Sequence, residues 1–508
     1  MLNGTEVTLD VSDLSLLDAL RDHLGIHSAK DGCAPQGQCG CCTVWVDGQP
    51  RVACVTPLRR VEGREVRTLE GLDADARTDW AGALCATGGT QCGFCTPGIV
   101  MRLEALRAAG RLDDESAVVR GLAAHLCRCT GWRTILDAAA LLASGDDGGP
   151  ADRDLDAAAR RAAIEGHTPQ QVGPAVALGE AGFADDTAPP DALVAVLDAA
   201  GAPHVAATAV EARAAAGKVQ GRRTTRDVEP PIAVPDGDWA LTLATSWVEP
   251  AYLETDASWA TPGGVAASPL ANGGAFGGKV HSPAVALAEA LANERGTPVR
   301  VRLSREDAVR MGPKRPPMAL GLRADGTGVV RVARTPGIVE AIRAVAPAVE
   351  VEEVDVPGPP TSIDLRGAGW VELAVALAAV DGRRRITAPD GAWAEAEVTA
   401  DGRLSVEVAA GEVLDEVVLR SYVVGAAHQA LGWVTSEGLA VDADGTIGDL
   451  TIRSFGIVRP GEMPAVDVVI RDDGGPPTCG SDAAFGAVAL AVWEHQQRPT
   501  RWPTRQPL

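Results

Sequence analysis

The sequence predicts an α+β protein of several domains: a small α+β unit, a helical bundle, and a larger mixed α/β region. Three observations predict it. Along the 508 residues, apolar alternation at a period of two gives way near residue 80 to spacings of i, i+3 and i+4, and beyond about 172 the two patterns mix. Ten of the eleven cysteines lie between Cys33 and Cys129, within the first two of these regions. Apolar residues make up 46% of the chain and charged residues 22%, enough for real cores in about two to four domains.

Each element has a local reason. The segments EVTLDV, CTVWVDG, RVACV and EVRTLE alternate as strands around one helix, SLLDALRDHLG, and Asp47-Gly48 marks a hairpin turn. GIVMRLEALRAAG, ESAVVRGLAAHLC and RTILDAAALLA carry helical periodicity, with Gly, Asp or Thr near their starts, and predict a bundle of three or four helices. Gly, Asp and Pro cluster from about 145 to 172 and predict a linker. Beyond it, Val-rich strands, Ala-rich helices and Gly/Pro turns alternate without a repeat. The domains so drawn are 1–78, 79–146, a linker at 147–172, 173–245 and 246–508.

Charge narrows the partners. Lys and Arg number 46 against 68 Asp and Glu, a net −22 that repels phosphate backbones and argues against nucleic acid. No run of eighteen apolar residues occurs, and MLNGTEVTLDV lacks the basic and apolar stretches of an export signal, so a cytoplasmic location without membrane contact is expected. In that reducing compartment dense cysteines bind metal or do redox work more often than they form disulfides.

The first cysteine set is Cys33, Cys39, Cys42 and Cys54, a C-x5-C-x2-C loop with the fourth cysteine after eleven intervening residues. It nearly matches a plant-type iron–sulfur loop, in which glycines at positive φ aim backbone N–H groups at sulfur. Gly32, Gly37 and Gly40 would supply that freedom. A tetrahedral zinc site and inert buried thiols are the competing readings. The second set is Cys92 and Cys95 in QCGFCTPG with Cys127 and Cys129 in LCRCTGW. Side chains two apart on a helix diverge by about 200°, so Cys127 and Cys129 can share a cluster only where the chain leaves helical geometry, as Thr130-Gly131 would allow. Pro97 and Gly98 should start a helix just past Cys95, with its terminal amides near an anionic cluster. Cys41 and Cys85 are spare and read as packed apolar residues.

Together KDGCAPQGQCGCCTV, QCGFCTPGIV and CRCTGW resemble the two-cluster iron–sulfur portion of the molybdenum hydroxylases, the xanthine dehydrogenase and aldehyde oxidoreductase family. The resemblance covers residues 1 to about 145 and implies a β-grasp ferredoxin domain and a helical domain, each holding one [2Fe-2S] cluster on the eight cysteines named. It departs from the family in one place, with five rather than four residues between Cys33 and Cys39. Gln91 would touch a pterin.

Echoes of the family's molybdopterin-binding portion follow in order. GGAFGGKV, Gly273 to Val280, has the form G-x4-G-K but lacks the Ser or Thr of a P-loop. It is similar to the family's metal-facing glycine loop, which implies that Gly274, Phe276 and Gly277 lie at molybdenum. LGEAGFADDTAPPDAL (178–193) resembles the start of a reduced hammerhead-like domain, PVRVRLSREDAV (298–309) the strand and helix after the glycine loop, and LRGAG the substrate-side loop of Arg366. GAAHQALGWVTSEGLAVDADG (425–445) and FGIVRPGEMPAVDVVI (455–470) resemble the closing segments of a shortened molybdopterin-binding region. Two pieces are missing. No Gln-Gly-x-Gly stretch for the pterin occurs, and the glutamate that acts as base in the family is replaced, in CGSDAAFGAVALAVW, by Ser481 with Asp482 beside it. Asp482 is the candidate base, while Ser-Asp before an Ala-rich helix also reads as an N-cap.

The resemblance implies an oxidoreductase that oxidises a small molecule, an aldehyde or N-heterocycle. Electrons would pass from molybdopterin through two [2Fe-2S] clusters to an external acceptor or flavoprotein, and a homodimer is expected. Gly367-Ala368-Gly369 is a lone G-x-G, so no dinucleotide site is predicted. The alternative is a non-catalytic electron carrier with a degenerate molybdopterin scaffold; a redox-responsive binding protein is a weaker third. The eight histidines show no metal-ligand spacing.

Overall fold

The computed structural model describes residues 1–10, 13–145, 153–217, 227–448 and 450–508; residues 147–152 of the expected linker and Val11 of EVTLDV lie outside the described residues. Near the N-terminus a Ser15–Asp18 capping box starts helix α1 (Leu16–Asp18), which runs on as a π-turn, Ala19–His23. Leu16, Leu17 and Leu20 pack on Val44 and Val46 of a three-stranded sheet of order β2-β1-β3. Its strands are β1 (Thr43–Val46), β2 (Gln49–Val52) and β3 (Val66–Arg67). Asp47 and Gly48 close the β1–β2 hairpin at φ 48° and 71°, the left-handed pair that a two-residue type I′ turn needs. Residues 6–10 of EVTLDV form no strand: β3 is short, and its free edge is already bonded to Met1 and Asn3, leaving Val7 exposed.

Four helices follow: α2 (Ala74–Thr87), α3 (Thr96–Ala108), α4 (Glu115–Leu122) and α5 (Arg133–Ser144). The bundle is therefore four-membered. Helix α2 crosses residue 78, so the first expected boundary falls inside an element, one that hides from periodicity because two of its four buried residues are alanine. Where the linker is described it holds an ordered helix, α6 (Leu155–Gly166), capped by Asp154 and carrying a buried Arg161–Glu165 pair.

Two short helices, α7 (Pro174–Ala177) and α8 (Ala184–Thr187), lead to β4 (Leu193–Leu197), β5 (Pro203–Ala206), α9 (Ala209–Ala215) and β6 (Leu241–Thr245). With β7 (Ala257–Ala260) and β8 (Val299–Arg302), the first two strands form a sheet of order β5-β4-β8-β7. Segment 173–245 thus shares its sheet with later residues, since β4 pairs parallel to β8. Helices α10 (Ala284–Arg295) and α11 (Arg305–Met311) flank β8 in sequence. Strand β6 enters a five-stranded sheet, β11-β10-β9-β6-β16, built from β9 (Met318–Leu322), β10 (Gly328–Ala333), β11 (Val349–Val354) and a late β16 (Arg501–Trp502). A fourth sheet, β12-β13-β14-β15, comprises Arg385–Thr387, Trp393–Val398, Leu404–Ala409 and Val466–Arg471.

Helices α12 (Ile338–Val345), α13 (Trp370–Asp381), α14 (Glu416–Thr435) and α15 (Gly480–His495) complete the chain. Helices α14 and α15 are buried on nearly every side, which erases the one-sided apolar stripe of a surface helix. The first unit is clamped to the rest by ions. Arg21 meets Asp185 at 2.8 Å and Asp186 at 2.7 Å, Lys30 meets Asp186, Arg300 meets Asp22 at 2.9 Å and Arg302 meets Asp31 at 2.5 Å. Among the described residues no helix is long and apolar enough to cross a membrane.

Candidate functional site

The first four cysteines converge as their spacing predicts. Cys33, Cys39 and Cys42 lie on the loop before β1, and Cys54 on the 3-10 turn after β2; all four are buried. The N–H groups of Gln38 and Cys39 each point at Cys33 Sγ at 3.3 Å, and that of Cys54 at Cys42 Sγ at 3.4 Å. The thiols of Cys39 and Cys54 also turn toward Cys33 and, with these amides, hold its pKa well below the ordinary thiol value. Gly37 and Gly40 take φ of 67° and 75°, as expected. Gly32 does not take a positive φ; it is glycine for space, because a Cβ there would stand 2.9 Å from Leu253 O.

The second four come together around two ends of helices. Helix α3 starts at Thr96 with Cys95 as its N-cap and Pro97 in its first turn. Helix α4 stops at Leu122, so Cys127 and Cys129 both lie on non-helical chain, which their two-residue spacing requires. Cys92 and Cys129 Sγ are 3.7 Å apart. A tetrahedral thiolate centre with metal–sulfur bonds of about 2.3 Å spaces its sulfurs by about 3.7–3.8 Å, so this pair matches two ligands of one metal. Cys95 pairs with Cys127, whose thiol is drawn down to about 6 by Cys95 first and then by the Thr130 hydroxyl at 3.1 Å. Cys41 rests against Cys39 O and Cys85 sits half-buried on α2; neither completes a foursome. The loops touch directly, with Leu126 N–H donating to Cys39 O at 2.9 Å. Two groups of four thiols, all buried except the half-buried Cys92, with amides aimed at sulfur, fit two [2Fe-2S] clusters.

Helix α14 grips the second cysteine loop. Ser421, Gly425 and Gln429 recur every four residues and share one face. Gln91 Nε2 donates to Cys129 O at 3.1 Å and to Ser421 Oγ at 2.9 Å, and Gln429 Nε2 donates to Arg128 O at 3.1 Å. Arg128, between two cysteines, forks onto the buried Glu437 carboxylate at 2.5 and 2.6 Å, while Trp132 donates to Val458 O at 3.0 Å.

The glycine loop lies against the same cysteines. A Cβ on Gly274, at φ 78°, would stand 2.9 Å from Cys92 Sγ. Lys279 is spent on Glu254 at 2.6 Å and Pro269 O at 3.2 Å, which removes the phosphate-binding reading. Phe276 is held at φ 49°, with the Arg366 guanidinium 4.8 Å from its ring centre, and Gly277 packs on the backbone of Asp364. Arg366 continues to Ser481 Oγ at 3.1 Å, Asp482 Oδ1 at 3.2 Å and Gln429 Oε1 at 3.3 Å. Phe276, Arg366 and Asp482 are therefore neighbours. Burial opposes ionisation of Asp482, but His167 at 3.0 Å and Arg366 outweigh it and hold the carboxylate below its usual range.

The expected N-cap at Ser481 is not found. Cys479 occupies the cap position, and the Glu165 carboxylate of α6 accepts from Gly480 N at 3.2 Å and Ser481 N at 2.7 Å. Glu165, His167 and Cys479 escaped sequence reasoning, because more than 300 residues separate α6 from α15 and no local pattern links them.

A family model for a [2Fe-2S] binding domain matches residues 68–140. The xanthine dehydrogenase iron-sulfur-binding subunit of Escherichia coli O157:H7 is 38% identical over 139 residues, 27% of this chain and 87% of the subunit. The chain belongs to the molybdenum hydroxylase family. The xanthine dehydrogenase of Emericella nidulans is 44% identical over 151 residues, but this covers only 11% of that protein's length. An aldehyde oxidoreductase from Desulfovibrio gigas shares the fold, at a TM-score of 0.69 and 15% identity over 99% of this chain and 98% of that one.

Molybdopterin, the family's second cofactor, is tested by the space around Gly274, Phe276 and Gln91. Three cavities flank them, of about 10, 20 and 40 Å³. Pockets for ligands of cofactor size run to about 300–1,000 Å³. Gln91 is bonded to α14 and Arg366 to α15, while Gly274 packs against Cys92, so the residues at this position do not fit a pterin.

Proposed function

We propose that the chain is a [2Fe-2S] electron-transfer protein of the molybdenum hydroxylase family, whose C-terminal region scaffolds the clusters instead of enclosing a pterin. Cys33, Cys39, Cys42 and Cys54 would hold one cluster, and Cys92, Cys95, Cys127 and Cys129 the other. A bound [2Fe-2S] cluster takes up and returns one electron at a time. The chain's own residues orient the thiols, exclude water from them and fix the two loops together through Leu126 and Cys39. The observation that carries this reading is the seat of Gly274 against Cys92, with only water-sized space beside it. Metal analysis of protein from a host that makes molybdenum cofactor tests it: about four iron atoms and no molybdenum per chain are expected. About one molybdenum per chain would overturn it.

A second reading is favoured by a different observation, the meeting of Phe276, Arg366 and Asp482. It is an oxidoreductase that oxidises an aldehyde or N-heterocycle, with electrons leaving for an external acceptor or flavoprotein. Asp482 would accept the proton, although a carboxylate held ionised by His167 and Arg366 is a weak base. Turnover of an aldehyde panel with an artificial acceptor, abolished in Asp482→Asn, would establish this reading in place of the first.

A further inference from the structure

We propose that His167, Cys479 and Asp482 form a site for one borderline divalent cation, of which Zn2+ is the best match. The site lies apart from both cysteine groups and does not depend on the function proposed above. One imidazole nitrogen, one sulfur and one carboxylate oxygen lie within 4.8 Å of one another. His167 Nε2 and Asp482 Oδ2 are already 3.0 Å apart. Tetrahedral zinc, with bonds of about 2.3 Å to sulfur and about 2.0–2.1 Å to nitrogen and oxygen, spaces its ligands by about 3.3–3.6 Å. A movement of Cys479 Sγ on the order of 1 Å therefore closes the triangle.

The elements fix this arrangement. His167 terminates α6 at φ 51°, and its side chain is 60% exposed, which leaves the fourth coordination position to water. Cys479 and Asp482 are three apart at the start of α15, on one face. The cation would staple α6 to α15. Asp482 Oδ1 is buried without an aligned hydrogen bond and faces Arg366, which leaves Oδ2 for the metal. Glu165 Oε2 is 3.7 Å from Cys479 Sγ and, with Asp482 and an ionised Cys479, sets three negative charges against the guanidinium groups of Arg366 and Arg161. Mixed sulfur, nitrogen and oxygen donors suit zinc better than magnesium or calcium. Binding breaks the Cys479 S–H bond, forms a sulfur–zinc bond and delivers that proton to solvent, together with the ring proton lost by any His167 imidazole that starts charged, with no change in oxidation state.

Zn2+ titration of the iron-loaded full chain tests this, read by zinc K-edge absorption and equilibrium binding. One zinc per chain is expected, with one sulfur and three nitrogen or oxygen neighbours and about one to two protons released at neutral pH, one from Cys479 and the rest from charged His167. His167→Ala and Cys479→Ser should each weaken binding at least about 100-fold, since loss of a direct ligand exceeds the loss of an outer-shell partner. Iron content should stay unchanged in His167→Ala, whose side chain is exposed. If Cys479→Ser fails to fold, His167→Ala decides alone. Zinc with four sulfur neighbours, or undiminished affinity in His167→Ala, would overturn the proposal.

Discussion

The iron–sulfur portion and the C-terminal region carry segments of the same family pattern, yet only the first still fits its cofactor. In the first, a spacing of a few residues decides the outcome: three cysteines on one loop and a fourth after a hairpin can reach a cluster only a few ångströms across. In the second, the family segments also meet, as Phe276, Arg366 and Asp482 do, but a pterin needs a void that no short motif encodes. Here the cavities beside Gly274, Gln91 and Phe276 measure only about 10, 20 and 40 Å³. A thiolate cluster survives divergence through local spacing, whereas an organic cofactor survives only if distant elements stay apart.

The largest effect should separate the two cysteine groups. Cys33→Ser is expected to lower iron from about four to about two atoms per chain, and Cys127→Ser to do the same at the other cluster. Electron paramagnetic resonance of the reduced variants should then show one signal each. Loss of both signals from either variant would break the view that the groups are filled separately.

Next comes the tie between regions. Glu437→Gln strands the buried Arg128 guanidinium and should cost about 3–5 kcal/mol in urea unfolding. Because Arg128 sits between Cys127 and Cys129, iron should leave the second cluster at lower urea than the first. Equal loss from both would show that α14 does not brace the second loop.

The legibility of the molecule divides along the same line. The Asp47-Gly48 hairpin, the helix after Cys95 and both cysteine groups follow from local chemistry, and their geometry matches it. Helix α6 was hidden in a Gly- and Asp-rich stretch, since its stability comes from Arg161 and Glu165 meeting α15 and the loop before α14. Residues 6–10 of EVTLDV alternate as a strand would, but the edge of β3 is already taken by Met1 and Asn3. Gly32 serves a close approach to Leu253, and not the backbone freedom its place in the cysteine loop predicts. Long-range contacts decide each of these, and periodicity does not record them.

A smaller effect is expected at the clamp between the first unit and the β5-β4-β8-β7 sheet. Asp186→Asn removes charge-assisted bonds to Arg21 and Lys30 and should cost about 1.5–3 kcal/mol at pH 7. Burial opposes ionisation of Asp185 and Asp186, but their cations prevail and depress both carboxylates below the ordinary value of 3.8. A depressed carboxylate contributes fully above its unfolded pKa, and the contribution is lost as pH falls through the folded one. The stability gap between wild type and Asp186→Asn should therefore stay constant above about pH 5 and narrow below about pH 4. A gap that widens on acidification would remove ionised Asp186 from the clamp.

The smallest effect tests whether the C-terminal region is a scaffold for the clusters or only attached to them. Asp154 caps α6 by accepting from Asp156 N at 3.0 Å and Ala157 N at 2.9 Å. Asp154→Ala should cost about 1 kcal/mol, the usual loss when an N-cap side chain is removed. Helix α6 presents Glu165 to α15 and Arg161 to Thr478 O just before it, and touches α14 through Ala158 and Ala162, so fraying its first turn should leave these contacts in place. Iron content and both cluster signals should match wild type while the urea midpoint falls slightly. If iron is instead lost from the second cluster, the bracing reaches through α6 as well as α14, and the scaffold is more cooperative than the direct bonds at Gln91 and Arg128 require.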